Sequence, residues 1–177
     1  MKELESRLWK YLHEVTKNTS LYMTRVEVRH PAGISDVLYS IARERQCEKV
    51  KNFKKSIDTI HVIEDPLEKR KSEESTSGWI ELKLVKLEEV SYNGKYDYGL
   101  RKEQALWLNS WWRLGGLSWT LIGITSKGKW NRFVLTSGKY AYRILREISL
   151  EDLEQVSTVF ADSIDANTLT KSLLYSN

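Results

Sequence analysis

Residues 77–86 read SGWIELKLVK, a run with the length and composition of a β-strand that sets Glu81 and Lys83 two positions apart. Successive side chains of a strand alternate faces and rise about 3.3 Å each, so these two would project from one face, about 6 to 7 Å apart. Ile80, Leu82 and Leu84 fall on the other face. A strand that is apolar beneath and carries a carboxylate beside an ammonium above needs an explanation, and the stretches on either side of it supply one.

Upstream, residues 3–16 predict an amphipathic helix, with Leu4, Leu8, Tyr11, Leu12 and Val15 on one face and Glu5 beside that stripe. LYMTRVEVR (21–29) alternates as a strand, HPAG (30–33) turns the chain, and ISDVLYS (34–40) reads as a second short strand antiparallel to the first. The pattern then dissolves. ARERQCEKVKNFKK (42–55) carries six bases and two acids, TIHVI (59–63) reads as a short strand, and EDPLEKRKSEESTSG (64–78) has no apolar periodicity. Residues 41–77 therefore read as an insertion on the surface of one domain.

Downstream of the quoted strand, EEVSYNGKYDYG (88–99) is a loop with an Asn-Gly turn signal. A helix is predicted from Leu100 to Leu114, stopped by Gly115 and Gly116, with Leu100, Gln104, Trp107, Trp111 and Leu114 on one stripe. LSWTLIGIT (117–125) and WNRFVLT (130–136) flank the turn SKGK as a hairpin, and KYAYRILREI (139–148) reads as helical. Ser149 with Asp152 resembles a capping box that opens a last helix over 150–162. The order predicts a mixed α/β domain with a central sheet of about five strands over residues 1–148, and an acidic helical extension over 149–177.

Bulk properties bound the function. The 177 residues suit one domain with a real core. Seven tryptophans and nine tyrosines exceed what packing usually requires, so most are expected in the core and some on a binding surface. The charged start, MKELESRLWK, predicts no signal peptide, and no apolar run reaches the roughly 18 residues of a membrane span, so a cytoplasmic protein with no membrane partner is expected. A single cysteine, Cys47, excludes an internal disulfide and a cysteine-based metal cluster. Net charge is +4, but five acids and one base lie beyond Leu150, which leaves 27 bases against 19 acids in the remainder. That excess permits a polyanionic partner.

Three elements carry polar residues where packing alone would prefer apolar ones: Asp36, the Glu81/Lys83 pair and Gln104. Each has a structural explanation by itself: a turn, a solvated strand face, a hydrogen bond to backbone. Together they describe a chemistry. Hydrolysis of a phosphodiester uses a divalent cation to lower the pKa of a bound water and to neutralise charge on the phosphate. Mg²⁺ takes hard oxygen ligands, one or two carboxylates with water and substrate oxygens. Asp36 and Glu81 would supply carboxylates, the carbonyl of Leu82 a third oxygen, and Lys83 would orient the attacking water or stabilise the phosphate.

Asp36, Glu81 and Lys83 form the pattern of the PD-(D/E)XK nuclease superfamily. ESRLWKYL, TRVEVRHPAGISDVLY, SGWIELK and LRKEQALWLNSWWRLGGLSWTLI resemble, in order, successive blocks of its VRR-NUC branch, which is similar to archaeal Holliday-junction resolvases. The match covers most of residues 5–135 outside the insertion. It implies a restriction-endonuclease-like fold and Mg²⁺- or Mn²⁺-dependent cleavage of DNA, often branched, by a small homodimer. Carried onto this chain, Asp36, Glu81 and Leu82 would hold metal, with Glu5, or Glu3 two positions before it, as auxiliary ligand. Lys83 would serve catalysis, and Gln104 would contact the active-site water network or a phosphate. The chain departs from the family pattern at Ser35, where a proline usually precedes the aspartate, and in the insertion that separates Asp36 from Glu81 by 45 positions.

DNA would be gripped through phosphates by Arg25, Arg29, Lys51, Lys54, Lys55 and Lys102, with strong salt dependence. The alternatives are a nuclease acting on single-stranded, flapped or duplex DNA, and a non-catalytic DNA-binding protein that retains the fold.

Overall fold

The computed structural model describes residues 2–26, 36–41, 76–89, 94–146 and 148–175. Its helices and strands are, in chain order, α1 (Lys2–Thr16), β1 (Leu21–Arg25), β2 (Val37–Ile41), β3 (Thr76–Lys86), β4 (Lys95–Tyr96), α2 (Lys102–Arg113), β5 (Leu117–Ser126), β6 (Lys129–Ser137), α3 (Ala141–Leu145), β7 (Ile148–Ser149), α4 (Leu150–Glu154), β8 (Ser157–Phe160) and α5 (Ala166–Tyr175). The insertion read over 41–77 lies outside the described residues, except at its two ends in β2 and β3.

Among the described residues six strands form one mixed sheet in the order β1-β2-β3-β5-β6-β8. β1, β2 and β3 are antiparallel neighbours, β3 runs parallel to β5, and β5, β6 and β8 are antiparallel again. The parallel step requires a crossover, which α2 provides. A central parallel pair is covered on both faces and reads as a nearly continuous buried run. β3 accordingly buries Ile80, Glu81, Leu82, Lys83 and Val85, while Leu84 is half-buried.

Each face has its own core. Leu8 and Leu12 of α1, with Leu169 and Leu173 of α5, pack against Val37, Tyr39, Ile80, Leu82, Trp119, Leu121, Phe133 and Leu135. On the opposite face, Ala105 and Leu108 of α2 and Ala141 and Ile144 of α3 pack against Val85, Ile122, Ile124 and Val134. The β5–β6 hairpin closes through Lys127 and Gly128, both at positive φ (48° and 74°). This is the geometry of a tight two-residue hairpin turn. At the end of α2, Gly115 N–H bonds the Trp112 carbonyl and Gly116 N–H the Trp111 carbonyl, at 3.0 Å each, with Gly115 at φ +84°. The double glycine ends the helix in a Schellman motif. A side chain at Gly116 would also collide with the Trp111 indole, 2.1 Å from where its Cβ would lie.

Several expectations are corrected. The helix read over 139–148 shrinks to a 3-10 turn at Gly138–Tyr140 followed by α3, and Ile148 and Ser149 instead pair with β4. The helix read over 150–162 ends at Glu154, although its cap is right, since Ser149 Oγ accepts from Asp152 N–H at 3.1 Å. Residues Ser157–Phe160 form β8, a sixth strand where about five were expected. β8 covers the edge of β6, which would otherwise expose a row of unpaired backbone groups. Its Ser-Thr-Val run suits a pleated strand better than a helix. The segment read as an appended extension thus supplies a strand to the sheet and two leucines to a core. The α2 stripe is also rotated: Gln104, Ala105 and Leu108 are buried, whereas Trp111 is 39% and Leu114 87% exposed.

Candidate active site

Three elements converge on β3. Pairing of β2 with β3 matches Val37 to Ile80 and ends there. Asp36, one residue before β2, continues the contact with its side chain: Leu82 N–H donates to Asp36 Oδ2 at 3.0 Å. The Asp36 carbonyl meanwhile accepts from Val26 N–H at 2.8 Å, fixing the aspartate to β1 as well. A carboxylate therefore ends up beside Glu81 because it substitutes for a backbone partner that β2 no longer provides.

The third element is α2. Gln104 sits in its first turn, where its side-chain carbonyl accepts from Arg101 N–H at 3.0 Å, a helix-capping contact. Its amide donates to Glu81 Oε1. Both ends of the amide are thereby engaged, which sets its orientation. Lys83 Nζ approaches the same oxygen, Glu81 Oε1, at 2.7 Å. Glu81 has no exposed surface and Lys83 is 5% exposed.

Glu81 Oε2, in contrast, is buried without a hydrogen-bond partner among the described residues. Burial pushes the Glu81 carboxyl up to about 8; Lys83 opposes that shift and the charge of Asp36 adds to it. Two carboxyl groups held together in low dielectric, one with an oxygen left over, form a site that gains from a cation. The donors are hard oxygens, which suits Mg²⁺ or Mn²⁺ better than a metal that prefers nitrogen or sulfur. Among the described residues no group of three or more His, Cys, Asp or Glu side chains comes together, and those that could hold a cation here are Asp36, Glu81 and backbone. The N–H and carbonyl of a strand residue share one side, which sets the Leu82 carbonyl toward β2 and Asp36. Its side chain lies in the α1-face core.

The structure thus brings together Asp36, Glu81, Leu82, Lys83 and Gln104. Of the other candidates, the two whose side chains are described, Arg25 and Lys102, lie elsewhere. Arg25 is drawn to the opposite face of the sheet, where its Nη1 donates to Ser6 Oγ at 3.1 Å. Lys102 is exposed at the start of α2, two positions before Gln104. Glu5 lies in α1, but its side chain falls outside the described part, as do Arg29, Lys51, Lys54 and Lys55.

Sequence reading missed Thr120. The register sets it opposite Glu81 on β5, it has no exposed surface, and its hydroxyl has no partner among the described residues. Threonine is an ordinary strand former, so LSWTLIGIT carried no signal that one of its residues stands beside a carboxylate. A scan against models of known protein families and a search of curated proteins each gave no match. Among the described residues no helix is long and apolar enough to cross a membrane.

Proposed function

We propose that the protein is a metal-dependent nuclease of the PD-(D/E)XK type, hydrolysing DNA phosphodiester bonds with Mg²⁺ or Mn²⁺ and selective for branched DNA. One observation carries the reading: Glu81 is buried beside Asp36 with Oε1 held by Lys83 and Gln104, while Oε2 has no donor among the described residues. A fold has no need of a fully buried glutamate in its central strand, where burial disfavours the charged form of its carboxyl. Perturbed groups of this kind gather at functional sites. The mixed sheet with a helix packed on each side of β3 supports the same reading.

In that reading Asp36 and Glu81 hold the cation, with the Leu82 carbonyl as a further oxygen. The bound cation supplies an acidified water and neutralises charge on the phosphate. Gln104 keeps Glu81 from turning. Lys83, already at the carboxylate, positions its ammonium to orient the attacking water or stabilise the charged phosphate. Exposed bases such as Lys102 contribute grip on the DNA backbone. Junction preference and a homodimer, with two sites cutting opposite strands, follow from the family resemblance.

The test is cleavage of end-labelled four-way junction, flap, single-stranded and linear duplex DNA with Mg²⁺, Mn²⁺ or chelator, using Lys83→Ala as control. Metal-dependent cuts concentrated on the junction and absent from the variant are expected. Cuts on flap or single strand alone would retain the nuclease and replace its substrate. DNA binding with no cleavage of any substrate would overturn the catalytic reading in favour of a binding module.

A further inference from the structure

Among the described residues two buried side-chain polar atoms lack a hydrogen-bond partner, Glu81 Oε2 and Thr120 Oγ1. They belong to residues directly opposite each other on parallel neighbours β3 and β5. Strands so paired lie about 4.8 Å apart, and alternation puts both side chains on the α2 face. The next position along this row is Thr136, and the one after it Ser157. Those two hydroxyls are 2.6 Å apart, and Ser157 also donates to the Leu153 carbonyl at 2.6 Å. The row is therefore satisfied at that end, and its two orphaned groups are neighbours.

A hydroxyl buried without a partner costs about 1 to 3 kcal/mol, whereas a valine of the same shape would pack at this position without that cost. Its neighbours in the chain, Trp119 and Leu121, are buried and apolar, as is Ile122, the next residue on its own face. Packing does not call for the hydroxyl at position 120.

We infer that Thr120 is a positioning residue of the site, whose hydroxyl, by rotation about χ1 or through one water molecule, gives Glu81 Oε2 a hydrogen bond once Asp36 and Glu81 hold a cation. The inference rests on the metal-site reading of Asp36 and Glu81. A hydroxyl has one proton to donate, and a carboxylate oxygen has two lone pairs. The Thr120 bond would occupy one lone pair of Oε2 and leave the other for the cation. With Oε1 already held by Lys83 and Gln104, the carboxylate is then fixed at both oxygens. Groups that orient a metal ligand in this way typically change metal affinity by about 10- to 100-fold when removed.

The experiment compares full-length wild type, Thr120→Val, Thr120→Ser and Glu81→Gln. It measures Mn²⁺ binding by calorimetry without DNA, and thermal stability without metal. Thr120→Val is expected to bind Mn²⁺ at least about 10-fold more weakly while melting no lower than wild type, and Thr120→Ser is expected to restore binding. Thr120→Ala removes the same hydroxyl should the valine variant fold poorly. Mn²⁺ affinity of Thr120→Val and Thr120→Ala within about twofold of wild type, with binding lost in Glu81→Gln, would overturn the role of Thr120 and leave the metal site standing. Absence of Mn²⁺ binding by wild type would overturn both.

Discussion

The two faces of the sheet are built to different rules. On the α1 face the interior is apolar, and the few polar atoms it contains satisfy each other, as where Trp119 Nε1 donates to the Tyr39 hydroxyl at 3.0 Å. Tyr11 stacks on Phe133 with ring centroids 5.0 Å apart, and its hydroxyl accepts from Ile164 N–H at 2.9 Å. On the α2 face the core is interrupted by Glu81, Lys83, Gln104, Ser118, Thr120 and Thr136, all buried. β3 belongs to both faces. Its Ile80 and Leu82 complete one core, and its Trp79, Glu81 and Lys83 face α2, where Trp79 meets Trp107 edge-on at 5.4 Å. The comparison teaches that the stability of one face permits polar burial on the other.

That division makes substitutions on adjacent residues diverge. The largest effect is expected from Glu81→Gln, which keeps shape and removes charge. On the proposed reading, cleavage measured at saturating Mg²⁺ should fall by about 1,000-fold or more while the melting temperature holds or rises. A variant that unfolds without losing specific activity would erase the distinction between the faces. Leu121→Ala, next to Thr120 but on the α1 face, should do the reverse. A fully buried leucine truncated in a packed core costs about 2 to 5 kcal/mol, read as a lower urea midpoint with cleavage per folded molecule retained.

Stability should also depend on pH through Glu81. Its folded pKa of about 8 lies above the ordinary 4.5. Between those values the folded protein keeps a proton that the unfolded chain has released, so stability falls as pH rises across the window and levels off above it. The loss is on the order of a few kcal/mol. Metal-free denaturation at pH 5, 6.5 and 8 should show this decline, and Glu81→Gln should flatten it. A wild-type slope unchanged by that substitution would mean that the buried carboxyl is not the group titrating.

The smallest effect sharpens the comparison within one row. Thr136→Val removes a hydroxyl bonded to Ser157 and should cost about 0.5 to 1.5 kcal/mol. Thr120→Val removes one that has no partner among the described residues and should cost nothing without metal. The same substitution one strand apart should thus differ in sign or size in metal-free thermal melts, and equal losses would show that Thr120 is bonded without a cation as well.

Much of this was legible in the chain because local rules decide it. The apolar period of α1, the alternation of β1 and β2, the Gly115-Gly116 stop of α2 and the turn between β5 and β6 each depend on neighbours in sequence. Asp36, Glu81, Lys83 and Gln104 were visible as polar residues in elements that otherwise run apolar. Other features were not legible, since they answer to distant parts. Ser157–Phe160 became a strand because β6 had an open edge, and α2 turned its Gln104, Ala105 and Leu108 inward because those positions face β3 and β5.

By itself the sequence determined the mixed α/β class, the main elements up to the β5–β6 hairpin and the identity of four residues that share one polar cluster. Periodicity, capping and turn chemistry act over a few residues, and nothing beyond them is needed for those. The tertiary structure alone decided that Asp36 reaches Glu81 by taking the Leu82 N–H, that Lys83 and Gln104 meet on one oxygen, and that Thr120 stands opposite Glu81 on β5. Register across strands far apart in the chain sets those contacts, and register is a property of the whole sheet.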